Sequence, residues 1–71
     1  MGDGYHHGNL KEQLILAGME IITKEGVGAL SIRKAAEKCS VSHAAPYSHF
    51  KNKEEYLKKI NEFAEEKFAK A

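Results

Sequence analysis

Apolar residues recur at helical spacing in the first third of the chain, with charged residues on the opposite side. The apolar positions are Leu10, Leu14, Ala17, Gly18, Ile21 and Ile22. Asn9 and Glu12 have the spacing of a capping box, in which each side chain accepts a hydrogen bond from the backbone of the other residue. Gly26 can take the left-handed conformation that ends a helix. The pattern therefore predicts a helix over about 9–25.

Gly18 lies in the middle of this predicted helix. A glycine there costs about 1 kcal/mol relative to alanine. We therefore expect the backbone of another helix to approach this position closely.

The middle of the chain predicts two short helices joined by a tight turn. Ser31 is placed to cap the first, over about 31–39, and Ser42 is placed to cap the second, over about 42–49. Pro46 follows Ser42 by four residues, so its missing N–H removes only the first bond within the second helix. Because a proline also biases the preceding residue away from the α conformation, we expect an irregular opening turn there.

A longer apolar stripe continues almost to the last residue. Its members are Tyr56, Leu57, Ile60, Phe63, Ala64 and Phe68. Asn52 is placed to cap this fourth helix, and Glu54 and Glu55 suit its positive N-terminal end. The stripe extends beyond what three preceding helices can cover, so we expect the chain to be part of a longer protein whose continuation supplies another domain.

Together these elements predict an all-α fold, a small helical bundle with a helix-turn-helix that has a three-helix core and the start of a fourth helix. Residues 1–8 hold three glycines and no periodicity, and we interpret them as a flexible arm. Residues 9–50 are expected to form the helix-turn-helix domain, and residues 51–71 the fourth helix leading away from it.

The composition is that of a small soluble domain. The chain has 71 residues, of which 42% are apolar and 30% charged, enough for one domain with a thin core but hardly for a catalytic pocket with walls and a lid. One cysteine, Cys39, excludes an internal disulfide and fits a reducing compartment. No apolar run approaches the roughly 18–20 residues of a membrane span, and the first residues do not show the pattern of a signal peptide. We therefore expect a cytoplasmic protein that is neither an enzyme nor membrane-bound.

Charge is unevenly distributed along a chain whose net charge is only +1. Residues 1–30 sum to −2 and residues 54–71 to −1. Residues 31–53 sum to +4, because five lysines and arginines there oppose Glu37 alone. A basic segment that coincides with two short helices and a tight turn is typical of a DNA-binding helix-turn-helix, whose second helix enters the major groove.

The side chains in and beside these two helices suit contacts with DNA. The candidate residues are Ser31, Arg33, Ser42, His43, Ala44, Ala45, Tyr47, His49 and Lys53. Alanines keep a helix slim enough to approach base edges, and their methyl groups can touch the thymine methyl group. The serines place hydroxyls and free backbone N–H groups at helix N-termini, where phosphates bind. An arginine can read guanine or clamp a phosphate, and a histidine can bond to either a base or a phosphate.

From residue 9 to about residue 60, the sequence resembles the tetracycline-repressor-like (TetR-family) transcriptional regulators. The shared positions are Gly26 after the first helix, Ser31, Ile32 and Arg33 at the start of the second, and Val41 and Ser42 in the turn. The most specific part of the resemblance is the run from Tyr47 to Leu57, which reads YSHFKNKEEYL.

The resemblance implies roles for several residues and a function for the chain. In that family the aromatic residue of the third helix and the lysine that opens the fourth, here Tyr47 and Lys53, hold phosphates. The residues after the cap of the third helix, here His43, Ala44 and Ala45, face bases. The implied function is sequence-specific binding of double-stranded DNA, at one half-site of an operator, by the N-terminal part of a transcriptional repressor.

The resemblance also implies a C-terminal all-helical domain, absent here, that binds a small-molecule effector and joins two copies in a homodimer. Without that domain the present chain is expected to be monomeric. Two positions depart from the family pattern. Ser40 stands where the turn usually has glycine, so the backbone there is either less demanding or slightly strained. Ala35 replaces a larger aliphatic residue and thins the core under the second helix.

Other interpretations stay open. Tyr47 can be a core aromatic, His43 a surface histidine without a contact, and His49 the residue that closes the third helix. Cys39 and His43 lie four residues apart, but the turn between them breaks any common face and no second cysteine completes a tetrahedral set, so we expect no metal and no cofactor. For the whole chain, the alternative function is a helical protein–protein interaction module that docks through the fourth helix.

Overall fold

The computed structural model describes residues 9–68, with the backbone alone at Phe68. Its helices are α1 (Leu10–Glu25), α2 (Ile32–Lys38) and α3 (Lys53–Phe68), with two short 3₁₀ helices at Val27–Ala29 and Ala45–Ser48. No strand occurs between residues 9 and 68, so the predicted all-α class is confirmed. The helix predicted as the fourth is α3. The predicted arm over 1–8 and the apolar side chain expected at Phe68 lie outside the described residues.

Side chains at the helix starts satisfy backbone N–H groups much as the sequence predicts. Asn9 Oδ1 accepts from the Glu12 N–H at 3.4 Å, and Ser31 Oγ accepts from the Lys34 N–H at 2.9 Å. Asn52 Oδ1 accepts from the N–H three residues later at 2.8 Å. The prediction for Asn9 was wrong in one detail, since the Glu12 carboxylate accepts from the Asn9 side-chain amide at 2.8 Å. An asparagine cap, unlike serine, has such a donor to offer.

The turns that follow α1 and α2 both use a left-handed residue. Gly26 ends α1 with φ of 94°, and its N–H bonds to the Ile22 carbonyl at 2.9 Å. Ser40 follows α2 with φ of 59°. Because a side chain there crowds the next carbonyl, Ser40 carries backbone strain, which is one of the two possibilities that the departure from the family pattern left open.

The hydrophobic core lies between α1, α2 and α3. Its buried members are Leu14, Ile15, Ala17, Ile21, Leu30, Ile32, Ala35, Phe50, Tyr56 and Ile60. The rings of Phe50 and Tyr56 are 4.9 Å apart and tilted at 50°, an arrangement that adds attraction to burial. The Tyr56 hydroxyl donates to the Leu14 carbonyl of α1, and burial raises the pKa of this phenol above its ordinary range. The core is therefore closed by a polar bond as well as by apolar contact.

Gly18 marks the closest approach of α3 to α1. A Cβ atom placed on Gly18 would lie 2.5 Å from Ile60 Cδ1 and 2.6 Å from the Tyr56 hydroxyl. A close approach was predicted, but the prediction of a helix backbone there was wrong. The space is filled by α3 side chains, because a large ring and a branched aliphatic reach across to α1.

The prediction of an α-helix over 42–49 is wrong. The segment holds a turn followed by the four-residue 3₁₀ helix Ala45–Ser48, and Ser42 forms no side-chain cap. Pro46 has no N–H to bond the Ser42 carbonyl, which accepts from the Ala45 N–H at 3.1 Å instead. The same three-residue spacing continues from the Tyr47 N–H to the Ala44 carbonyl at 3.1 Å. Proline therefore tightens this segment into a 3₁₀ helix.

Cys39, at the end of α2, is partly buried. Its Sγ lies 3.6 Å from the Gln13 carbonyl, and burial raises the pKa of the thiol. The raised pKa keeps the sulfur protonated, which is the opposite of what a thiolate nucleophile needs. None of the described helices has both the length and the apolar character needed to cross a bilayer.

Candidate nucleic-acid interface

The second 3₁₀ helix is fixed to the core at both ends while its central side chain projects outward. Pro46 and Phe50 are fully buried on either side of Tyr47, whereas Tyr47 is 55% exposed. Ser48 Oγ donates to the Ala45 carbonyl at 2.9 Å and closes the segment on itself. The result is an aromatic residue whose backbone is held by buried neighbours and whose side chain lies on the protein surface, outside the core.

Most of the candidate residues are exposed to solvent. The exposed ones are Arg33, Ser42, His43, Ala44, Tyr47, His49 and Lys53, while Ser31 and Ala45 are partly buried. Ser31 Oγ already accepts from the Lys34 N–H as the cap of α2, so only its hydroxyl proton is free to donate. The His49 ring is tilted over the Phe50 ring at 6.2 Å, which ties this exposed imidazole to the core.

Glu37 is a residue that sequence reasoning left out of the site. Its Oε2 lies 3.1 Å from His43 Nε2 and 4.0 Å from Arg33 Nε. It therefore brings together two candidate residues from opposite sides of the turn. The spacing of four between Arg33 and Glu37 could be read from the sequence as a helical ion pair. The contact with His43 could not, because it depends on the path of the turn.

The positive charge of residues 31–53 is partly neutralised within the fold. Lys34 Nζ lies 2.6 Å from Glu25 and Lys38 Nζ lies 3.6 Å from Glu20, so both lysines pair with carboxylates of α1. The hydrogen bond from Lys34 lowers the pKa of Glu25. Hydrogen bonding from Lys24, with the charge of Lys38, lowers the pKa of Glu20.

The cations that remain open are concentrated before and at the start of α3. Lys51 and Lys53 are exposed, and neither forms an ion pair with another residue of the described part of the chain. The Lys51 N–H donates to Glu55 Oε1 at 2.9 Å, which fixes the backbone before the helix. Lys53 is the first residue of α3, so its ammonium adds to the positive end of a 16-residue helix.

A short helix, a left-handed turn and a second short helical segment, with an exposed aromatic and open cations beside them, define a domain of the helix-turn-helix class. Residues 14–60 match the family described as bacterial regulatory proteins, tetR family. The match covers more than half of the chain, and the chain belongs to that family. DNA-binding transcriptional regulation is therefore the functional class of this domain, and the interaction module is not favoured.

Two curated relatives agree with this assignment. The chain is 38% identical over 47 residues to an uncharacterized HTH-type transcriptional regulator, YerO, of Bacillus subtilis, and the aligned residues make up 66% of the chain and 16% of the relative. It is also 38% identical over 52 residues to the tetracycline repressor protein class G of Vibrio anguillarum, and here the aligned residues make up 73% of the chain and 25% of the relative. The chain thus spans a quarter or less of the length of each. No solved structure shows a significant match.

Proposed function

We propose that this chain binds double-stranded DNA with sequence preference through the turn face. The turn face is defined as the exposed side chains Arg33, His43, Ala44, Tyr47, His49, Lys51 and Lys53. The observation that carries the proposal is Tyr47, which is 55% exposed on a segment held by fully buried neighbours. An exposed phenol on a backbone that is held in place can bond a phosphate and set the register of the protein on DNA.

The roles divide between anchoring and reading. Tyr47 and Lys53 contact phosphates, since both are exposed and Lys53 has its charge open to solvent. His43, Ala44 and Ala45 approach base edges, and Arg33 reads guanine or clamps a phosphate. Of the two serines, Ser31 and Ser42, the second has no capping bond and is the freer donor to a phosphate. His49 supplies a further polar contact at the edge of the face.

The domain is proposed to be the N-terminal part of a cytoplasmic transcriptional repressor that carries out no chemistry. Two copies are expected to pair through a C-terminal helical domain that binds a small-molecule effector, so that each copy meets one half-site of an operator. The relative named as a tetracycline repressor supports the repressor part of this proposal. A single domain makes few contacts with DNA, so residues 1–71 should bind DNA weakly and with a strong dependence on salt. They should also sediment as a monomer.

Nuclear magnetic resonance with the ¹⁵N-labelled chain and a mixed-sequence duplex tests the proposal. Amide signals of residues 31–33, 42–49 and 53 should shift at low salt, and the shifts should weaken as salt is added. The outer side of α1 should stay unchanged. Shifts confined to α3, or no shifts at low salt, would contradict DNA binding, and the former would support the interaction module.

Matched lysine variants test the phosphate assignment. Lys53→Ala should weaken binding to all sequences about equally and lower the salt slope by about 1. Lys58→Ala removes another exposed lysine of α3 from a different side of the helix, and should change neither quantity. Equal effects of the two variants would reduce the role of Lys53 to bulk charge. Tyr47→Phe should weaken all sequences alike, whereas His43→Ala should alter preference at one or two base pairs.

A further inference from the structure

Glu37 is a negatively charged residue beside two side chains, those of Arg33 and His43, that are expected to contact DNA. Its Oε2 is 3.1 Å from His43 Nε2 and 4.0 Å from Arg33 Nε. The side chains of Glu37, His43 and Arg33 are 59%, 47% and 75% exposed. All three can therefore be reached by a DNA duplex.

The short contact fixes which nitrogen of His43 carries the proton. An ionised carboxylate only accepts hydrogen bonds, so the ring nitrogen that faces it must be the donor. In a neutral imidazole the proton is then on Nε2, and Nδ1 keeps its lone pair. No residue between 9 and 68 bonds to this Nδ1. The only hydrogen-bonding atom that the neutral His43 side chain has left for DNA is therefore an acceptor.

An acceptor has few partners on DNA. Phosphate oxygens are acceptors, as are N7 and O6 of guanine and O4 of thymine, so none of them can bond to Nδ1. The donors in the major groove are the amino groups at N6 of adenine and N4 of cytosine. We propose that Glu37 is a positioning residue for specificity, which occupies His43 Nε2–H so that Nδ1 accepts from an adenine or cytosine amino group.

This role rests on the proposed DNA binding and assigns a chemical group of the bases, the amino group, to the contact with His43. It also explains an acidic residue beside the turn face. Glu37 repels phosphates, and so lowers the affinity for DNA of arbitrary sequence. Its contact with Arg33 is made at Nε, which leaves both terminal nitrogens free for a guanine. Because that pair is exposed and long, Arg33 can leave it when DNA binds.

Ring nitrogen shifts of His43 in the DNA-free chain test the first half of the inference. The spectra are recorded at a pH high enough that the imidazole signals no longer change. The wild type should show a protonated Nε2 and an unprotonated Nδ1, and Glu37→Ala should move both signals toward the averaged values of free imidazole. Glu62→Ala is the control, because that carboxylate is also exposed and pairs with Lys59 at 3.8 Å on α3. A protonated Nδ1 in the wild type would overturn the inference.

Selection from duplexes randomised over one half-site tests the second half, at the same high pH. Selection identifies the base pair whose preference His43→Ala removes. Replacing adenine there by purine, or cytosine by 2-pyrimidinone, takes away the amino group and should weaken binding by the wild type. Glu37→Ala should reduce that preference about five- to tenfold, and should raise affinity for mixed-sequence DNA a few-fold. Glu62→Ala, with the same change in net charge, should do neither.

The outcomes separate this inference from the proposed function. If the wild type binds DNA but the preference survives Glu37→Ala, or binding is unchanged when the amino group is removed, the role of Glu37 is wrong while DNA binding stands. If the wild type binds no duplex at low salt, the proposed function is wrong, and the role of Glu37 is lost with it.

Discussion

Two tyrosines nine residues apart show how differently the two halves of this domain use the same side chain. Tyr56 is 1% exposed, packs its ring at a tilt against that of Phe50, and donates a hydrogen bond from its hydroxyl to the carbonyl of Leu14. Tyr47 is 55% exposed and forms no hydrogen bond through its hydroxyl within residues 9–68. Between α1 and α3, the buried ring and the hydrogen-bonded hydroxyl of Tyr56 stabilise the fold. On the turn face, the ring and the hydroxyl of Tyr47 stay available for a binding partner.

Small residues differ in the same way. Gly18 is buried and makes room for side chains of α3 to reach α1. Ala44 is exposed, and its small size leaves room outside the protein, where a base edge can approach. Residue type alone therefore does not separate core from interface. The burial of neighbouring residues decides where a residue lies, since buried Pro46 and Phe50 hold the segment that exposes Tyr47.

The largest expected effect separates the two tyrosines. Tyr56→Ala should lower the free energy of unfolding by about 3–5 kcal/mol, since it removes a large buried ring and a buried hydrogen bond. For a domain this small, that loss approaches the whole stability. Tyr47→Ala should change it by about 0.5 kcal/mol or less, because the lost ring is mostly in water. Urea denaturation followed by circular dichroism measures the free energy of unfolding of both variants. Equal losses would mean that Tyr47 contributes to the fold as much as Tyr56 does.

The next effect tests the packing at Gly18. Alanine normally stabilises a helix by about 1 kcal/mol relative to glycine. Gly18→Ala should nevertheless destabilise the fold by about 1–3 kcal/mol, because the new methyl group would meet Ile60 and Tyr56 at 2.5 and 2.6 Å. Gly28→Ala is the control, since no atom lies within 4 Å of a Cβ there. Stabilisation by Gly18→Ala would mean that α3 can move away from α1 at little cost.

Local chemistry made most of the helical framework predictable. The caps at Asn9, Ser31 and Asn52 depend on bonds across three residues, which a sequence displays directly. The α-helix over 42–49 was mispredicted although Pro46 was recognised, because one missing N–H was taken to affect a single bond. In so short a segment it shifts the whole spacing to that of a 3₁₀ helix.

The sequence was sufficient to predict which residues belong to the candidate site, but not the ion pairs and hydrogen bonds that they form. The resemblance and the charge pattern identified the candidate side chains, and seven of the nine are exposed. Neither could show that Lys34 and Lys38 reach back to carboxylates of α1, or that Glu37 bonds His43. Those contacts join residues from different elements, and their geometry exists only after the helices have packed. The contacts with DNA assigned to these residues stay predictions.

A smaller effect is expected at the turn itself. Ser40 has φ of 59°, a conformation that glycine takes without strain. Ser40→Gly should therefore stabilise the fold by about 0.5–1 kcal/mol, after allowing for the greater freedom of glycine in the unfolded chain. Ser40→Ala is the control and should bring no gain, because it keeps the Cβ atom. If both variants behave alike in thermal denaturation, Ser40 is not strained.

The smallest effect concerns the exposed ion pairs that join α2 to α1. Their lysine partners lower the pKa values of Glu20 and Glu25, so these carboxylates stabilise the folded state when ionised. That stabilisation is complete above the ordinary glutamate pKa of about 4.3 and is lost as the pH falls through the lowered values. Between pH 7 and pH 3, Glu20→Gln and Glu25→Gln should therefore lose slightly less thermal stability than the wild type. Glu66→Gln is the control, an exposed glutamate with no ion pair among residues 9–68, and it should follow the wild type. Added salt should shrink the difference, because exposed pairs are screened. A difference that salt does not change would mean that the two glutamates act through packing and not through charge.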